Sequence, residues 1–102
     1  MKTDFDFLKD SLLQRFIQYV KMYTQSDSSV ADSGTIPSTL QQWDLAKYLQ
    51  NELISFNLQD VKITENCYVY AHLPSNIDDC SENVCFLAHM DTVEEVTGKN
   101  VN

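Results

Sequence analysis

Two residues of this chain have the types and spacing for metal chemistry: His89 and Asp91, with Met90 between them. An imidazole nitrogen is a good zinc ligand, and a carboxylate two residues on can orient that ligand or tune a metal from behind it. The pattern is short, and alone it describes equally well two polar residues facing water at the end of a strand. Its setting adds to it. Directly before it runs Val84-Cys85-Phe86-Leu87-Ala88, apolar and uncharged. Such a run reads as a strand buried on both faces of a parallel or mixed sheet. His89 and Asp91 then fall at its C-terminal end, where open α/β sheets bind their ligands. The second histidine, His72, closes another strand-like run ahead of Leu73-Pro74 and has no acid beside it at ligand spacing. It reads as a partly exposed structural residue.

The elements that must position this pair precede it. Phe5, Leu8, Leu12, Phe16, Val20 and Tyr23 recur three or four apart, with Leu13 and Ile17 widening the stripe. That spacing predicts a helix over 5–23 whose apolar face meets the core, capped by Asp4, Asp10 or Ser11. Residues 26–37 are rich in Ser, Asp, Thr and Gly and read as a surface loop. After Pro37, Ser38 with Gln41 has the form of a capping box. A second amphipathic helix follows to about residue 56 through Leu40, Trp43, Leu45, Ala46, Leu49, Leu53 and Phe56, with Trp43 as its core anchor. Val61 and Ile63 alternate with polar residues, and 67–73 is aromatic and β-branched, so a two-residue Glu65-Asn66 turn predicts an antiparallel hairpin. Tyr68 and Tyr70 fall on one face of it, Val69 and Ala71 on the other. The acidic stretch 77–83 reads as the loop back into the sheet.

A chain of 102 residues allows one small domain. With 43% hydrophobic residues but only two glycines and two prolines, it is globular rather than disordered or fibrous. Fifteen acidic residues against seven basic give a net charge of −8, which argues against nucleic acid or an anionic membrane as partner. The acids are scattered and read as solvated surface. The N-terminus lacks the apolar core of a signal peptide and no run has membrane-spanning length, so a cytoplasmic setting is expected. Cys67, Cys80 and Cys85 are odd in number and form no CxxC, so they read as thiols, with Cys85 a small core residue of the apolar strand.

The stretch Phe86-Leu87-Ala88-His89-Met90-Asp91-Thr92, followed by Thr97-Gly98-Lys99-Asn100-Val101-Asn102, resembles the segment around the first zinc ligand of the tripeptide aminopeptidases in the M20 metallopeptidase family. Tyr23-Thr24-Gln25-Ser26 and Pro37-Ser38-Thr39 with Gln42-Trp43 extend the likeness. One departure is Val93-Glu94-Glu95-Val96, which stands where those enzymes carry a Ser-Pro-Asp turn.

The resemblance implies an α/β fold of two amphipathic helices, a β-hairpin and a buried strand, the N-terminal part of a zinc peptidase catalytic domain. Residues 1–102 would be an incomplete portion of that one domain, without the lid through which the parent dimerises. It further implies two Zn2+ ions bridged by an aspartate and a water, a glutamate as general base, and removal of the N-terminal residue of tripeptides. His89 would ligate one zinc, and Asp91 would be the active-site carboxylate that supports that histidine or the metal pair without itself having to ligate. The remaining ligands and the base would lie after Asn102. Since a catalytic zinc takes three protein ligands, the chain alone is expected to be inactive. The alternative is a non-catalytic remnant serving as a binding or interaction module.

Overall fold

The first helix starts from a reciprocal cap. In the computed structural model, which describes residues 1–79 and 81–102, the Thr3 hydroxyl accepts from the Asp6 N–H, and the Asp6 carboxylate accepts from the Thr3 N–H. Two amides otherwise left unpaired are satisfied together. The Thr3 backbone bond, then its hydroxyl, holds the Asp6 carboxyl below the usual carboxylate range. Helix α1 therefore runs Asp4–Val20, capped one residue before the earliest expected cap.

The apolar stripe of α1 does not meet a core. Phe5, Leu12 and Phe16 are 75%, 68% and 58% exposed. The helix instead attaches along the row Ser11, Arg15 and Tyr19, one turn apart on its side. The Arg15 guanidinium donates to the Ser11 hydroxyl at 2.7 Å and lies 5.1 Å from the centre of the Phe56 ring. The Tyr19 hydroxyl donates to the Glu52 carboxylate, and its ring stands edge-on to Tyr48 at 6.0 Å. Burial, followed by the Glu52 contact, pushes the Tyr19 hydroxyl well above the usual phenol range.

Between the helices, the loop holds a 3-10 helix, Ser28–Ser33, where irregular chain was expected. The Asp27 carboxylate caps it by accepting from Ser29 N–H, and Gly34 ends it at φ +70°, a left-handed conformation that suits glycine. Ser38 does not cap the second helix. Its hydroxyl accepts from the Asp27 N–H at 3.0 Å, so it serves the loop. Helix α2, Gln42–Ser55, consequently starts without a side-chain cap, through a tight turn in which the amides of Gln42, Trp43 and Asp44 bond three residues back. Its end is well made: Asn57 takes φ +59° while Asn57 N–H and Leu58 N–H return to the carbonyls of Ile54 and Leu53.

Helix α2 lies against both strands of the hairpin, β1 (Gln59–Ile63) and β2 (Val69–His72), which pair antiparallel with Lys62 opposite Tyr70. The connection is three residues, Glu65-Asn66-Cys67, rather than two: Thr64 N–H bonds Tyr68 O, Cys67 N–H bonds Thr64 O, and Cys67 sits at φ +64°. This is the turn-plus-bulge closure that usually takes glycine at its last position. Among the described residues the buried core is Leu45, Ala46 and Cys67, while Trp43 is only half-buried and is not the anchor expected of it.

The predicted buried strand is absent. Residues 84–88 are irregular, with Val84, Phe86 and Leu87 at 81%, 92% and 91% exposure and Cys85 an exposed free thiol. A strand exists through its ladder partners, and among the described residues no segment lies alongside this one. Cys67 is a free thiol as expected, and Cys80 lies outside the described residues. The α/β character with two helices and a hairpin stands, without the fifth element.

Replacing Tyr19 by phenylalanine removes the hydroxyl that ties α1 to α2 and is expected to weaken that attachment by about 1 kcal/mol. Amide exchange should accelerate across Asp4–Val20 while α2 stays protected; unchanged exchange in α1 would contradict this.

Candidate functional site

His89 and Asp91 do face each other. The imidazole Nδ1 and the carboxylate Oδ1 are 3.1 Å apart, with the His89 side chain 84% exposed and that of Asp91 41%. When Nδ1 carries the proton it donates to the carboxylate, and the Nε2 lone pair points away, bare. That is the arrangement in which a carboxylate fixes the tautomer and direction of a metal-binding histidine.

What holds the pair is the chain just after it. Thr92 forms an isolated parallel bridge with Gln25. Its N–H donates to Thr24 O at 3.1 Å, and its carbonyl accepts from Ser26 N–H at 2.9 Å and from the Ser26 hydroxyl at 3.1 Å. Two residues further, the Glu94 carboxylate accepts from Ser28, from its N–H at 2.8 Å and also from its hydroxyl. The Gln25 side-chain oxygen then takes the Gly98 N–H at 3.3 Å. A Cβ on Gly98 would stand 3.3 Å from the Thr92 hydroxyl oxygen, so any larger residue there would have to push that hydroxyl aside by a few tenths of an ångström. Lys99 lies over the Tyr23 ring at 5.2 Å.

Residues 93–96, where the sequence departs from the family turn, are thus fastened by Glu94. The segment 23–28 is in turn held from below: Thr39 donates its hydroxyl to Gln25 O at 2.8 Å and accepts from the Gln42 amide at 3.1 Å, with Thr24 and Gln42 both buried. Thr24, Gln25, Ser28 and Glu94 were not singled out from sequence. Thr24, Gln25 and Glu94 lie in stretches quoted for or against the family likeness, but nothing in them gave a role, because the partners that join them lie more than sixty residues away.

Among the described residues, no group of three or more His, Cys, Asp or Glu side chains converges as a metal site would require. The pair fits one ligand with its orienting carboxylate, one part of a zinc centre. His72 stands apart on the hairpin. Its Nδ1 is 3.7 Å from the Asp60 carboxylate, an acid brought near by pairing across the strands rather than by sequence spacing, and both side chains are exposed. No helix among the described residues is long and apolar enough to cross a membrane.

Over 95 residues, 93% of its length, the chain is 48% identical to peptidase T of Geobacillus thermodenitrificans and likewise 48% to peptidase T of Bacillus subtilis. Over nearly all of its length the chain is similar to peptidase T. It is 50% identical to that of Geobacillus kaustophilus over the same length. The matched portion is 22% of each of these peptidase T chains, so this chain spans about a fifth of the relatives it matches. No protein-family model matches it. The likeness read from the His89-x-Asp91 stretch and its tail is therefore found along nearly the whole chain.

The Ser28 hydroxyl and, after it, the Ser28 N–H hold the Glu94 carboxyl below the usual carboxylate range. A group with a depressed folded pKa stabilises above its unfolded value, and that contribution is lost as pH falls through the folded one. The Glu94–Ser28 tie should therefore be complete at neutral pH and open only on acidification below the usual carboxylate range. The Ser28 amide proton, followed by NMR, should move upfield over that range; a shift unaltered down to strong acid would contradict the contact.

Proposed function

We propose that this chain is the N-terminal part of the catalytic domain of a zinc-dependent tripeptide aminopeptidase of the M20 type, residues 1–102 forming an incomplete portion of that single domain. The observation that carries the reading is the 3.1 Å contact between His89 and Asp91 in a chain similar to peptidase T. In this reading His89 offers Nε2 to one of two zinc ions, and Asp91 keeps the proton on Nδ1 and fixes the ring. Zinc, when bound, supplies an acidified water and a polarised carbonyl. The chain's own residues present and orient one ligand. The other ligands, the general base and the lid through which the parent would dimerise belong to sequence beyond Asn102. The substrates are tripeptides, the setting is cytoplasmic, and the net charge of −8 speaks against nucleic acid or anionic membrane as partner.

A second reading, a non-catalytic interaction module, draws support from the exposed apolar stripe of α1. Activity in a complete enzyme separates the two, and metal count tests the incomplete site. Calorimetric titration of the purified chain should find no pair of zinc ions bound at submicromolar concentration; two per molecule would contradict the account of an incomplete site. Substituted for the matching segment of Bacillus subtilis peptidase T, the chain should yield an active tripeptidase. There His89→Ala should abolish activity and Asp91→Ala should cost roughly 10- to 100-fold, as loss of a ligand's orienting partner does. An active chimera indifferent to both substitutions would overturn the assignment.

A further inference from the structure

The polypeptide on the N-terminal side of His89 and the polypeptide on its C-terminal side differ sharply in how they are held. Residues 81–89 are all exposed, and the apolar stretch among them pairs with nothing among the described residues. From Thr92 onward the chain is fastened at three successive places to one short segment. The Thr92 backbone is bracketed by Thr24 O and Ser26 N–H, the Glu94 carboxylate is seated on Ser28, and the Gly98 N–H is seated on the Gln25 side chain. That segment has its own support, since Gln25 O receives the Thr39 hydroxyl and Thr39 receives the Gln42 amide from the first turn of α2.

We infer that Gln25 and Glu94 are positioning residues: they clamp residues 92–98 to the segment after α1, and through Thr92 they fix the direction in which Asp91 and His89 face each other. Neither touches the pair. Gln25 works from both ends, its backbone in the bridge to Thr92 and its amide oxygen on Gly98, while Glu94 closes the turn between those two points. Asp91 is one residue from the bridge, and its carboxylate must stay within reach of His89 Nδ1 for Nε2 to keep one heading. With residues 84–88 free, the clamp is what limits that heading in this chain. The inference rests on the reading of His89 and Asp91 as a metal-site pair for its purpose, but its geometry can be tested without metal.

The test uses the 102-residue chain, labelled for NMR, comparing the unsubstituted protein with Gln25→Ala, Gln25→Glu, Glu94→Ala and Glu94→Gln. Each alanine variant should exchange the Thr92 amide roughly threefold to tenfold faster, as loss of one supporting hydrogen bond implies. Each should also lower the fast-timescale order parameters at His89 and Asp91 while α2 and the hairpin keep theirs. Gln25→Glu keeps an acceptor for Gly98 N–H and Glu94→Gln keeps one for Ser28 N–H, so both should largely restore order at the pair. Three results would overturn the clamp. One is random-coil exchange at Thr92 and Gly98 in the unsubstituted chain, another is order at His89 and Asp91 unmoved by the alanine variants, and the third is no rescue by the conservative ones. A failure of the zinc reading would show in metal titration and leave these results as they are.

Discussion

The structure turns on a single backbone pairing, the bridge between Gln25 and Thr92. It joins points sixty-seven residues apart in sequence, and closing so long a loop is entropically costly, so the side-chain contacts gathered round it matter. Ser26, Ser28, Gln25 and Glu94 add bonds on either side of it, and Thr39 with Gln42 ties it to α2. Without the bridge and the ties around it residues 89–102 would be a free tail, and the contact of His89 with Asp91 would be a local one with no fixed place in the fold.

The same structure leaves much apolar surface uncovered. Helix α1 touches the rest along Ser11, Arg15 and Tyr19, so its stripe from Phe5 to Phe16 faces outward, and Val84, Phe86 and Leu87 are almost wholly exposed. Buried apolar side chains are few, and the relatives are between four and five times as long as the portion they share with this chain.

Much of the architecture could be read from residue patterns because helices and hairpins are local. The three- and four-residue recurrences gave both helices, and alternation around Val61 and Ile63 gave the hairpin. Boundaries failed where a polar side chain had other partners: Ser38 accepts from the Asp27 amide and the Gln42 side chain and from no first-turn amide of α2, and Thr3 rather than Asp4 closes the first cap. The turn at Cys67 failed because a left-handed cysteine is an unusual choice at a position that favours glycine. The strand at 84–88 failed for a different reason, since apolar composition signals a wish for burial and cannot supply the neighbours that provide it. At the site, His89 and Asp91 were legible from type and spacing, but the clamp was not, because nothing in Gln25 or Glu94 announces a partner so distant in the chain.

If this segment is one part of a longer enzyme resembling peptidase T, the natural product is much heavier than the 102-residue chain. An immunoblot of cell extract with antibody raised against this segment should reveal a band of roughly four to five times 11.7 kDa, the size of a two-domain chain. A band at 11.7 kDa itself would contradict the account and leave a separate small protein whose His89 and Asp91 serve no complete peptidase site.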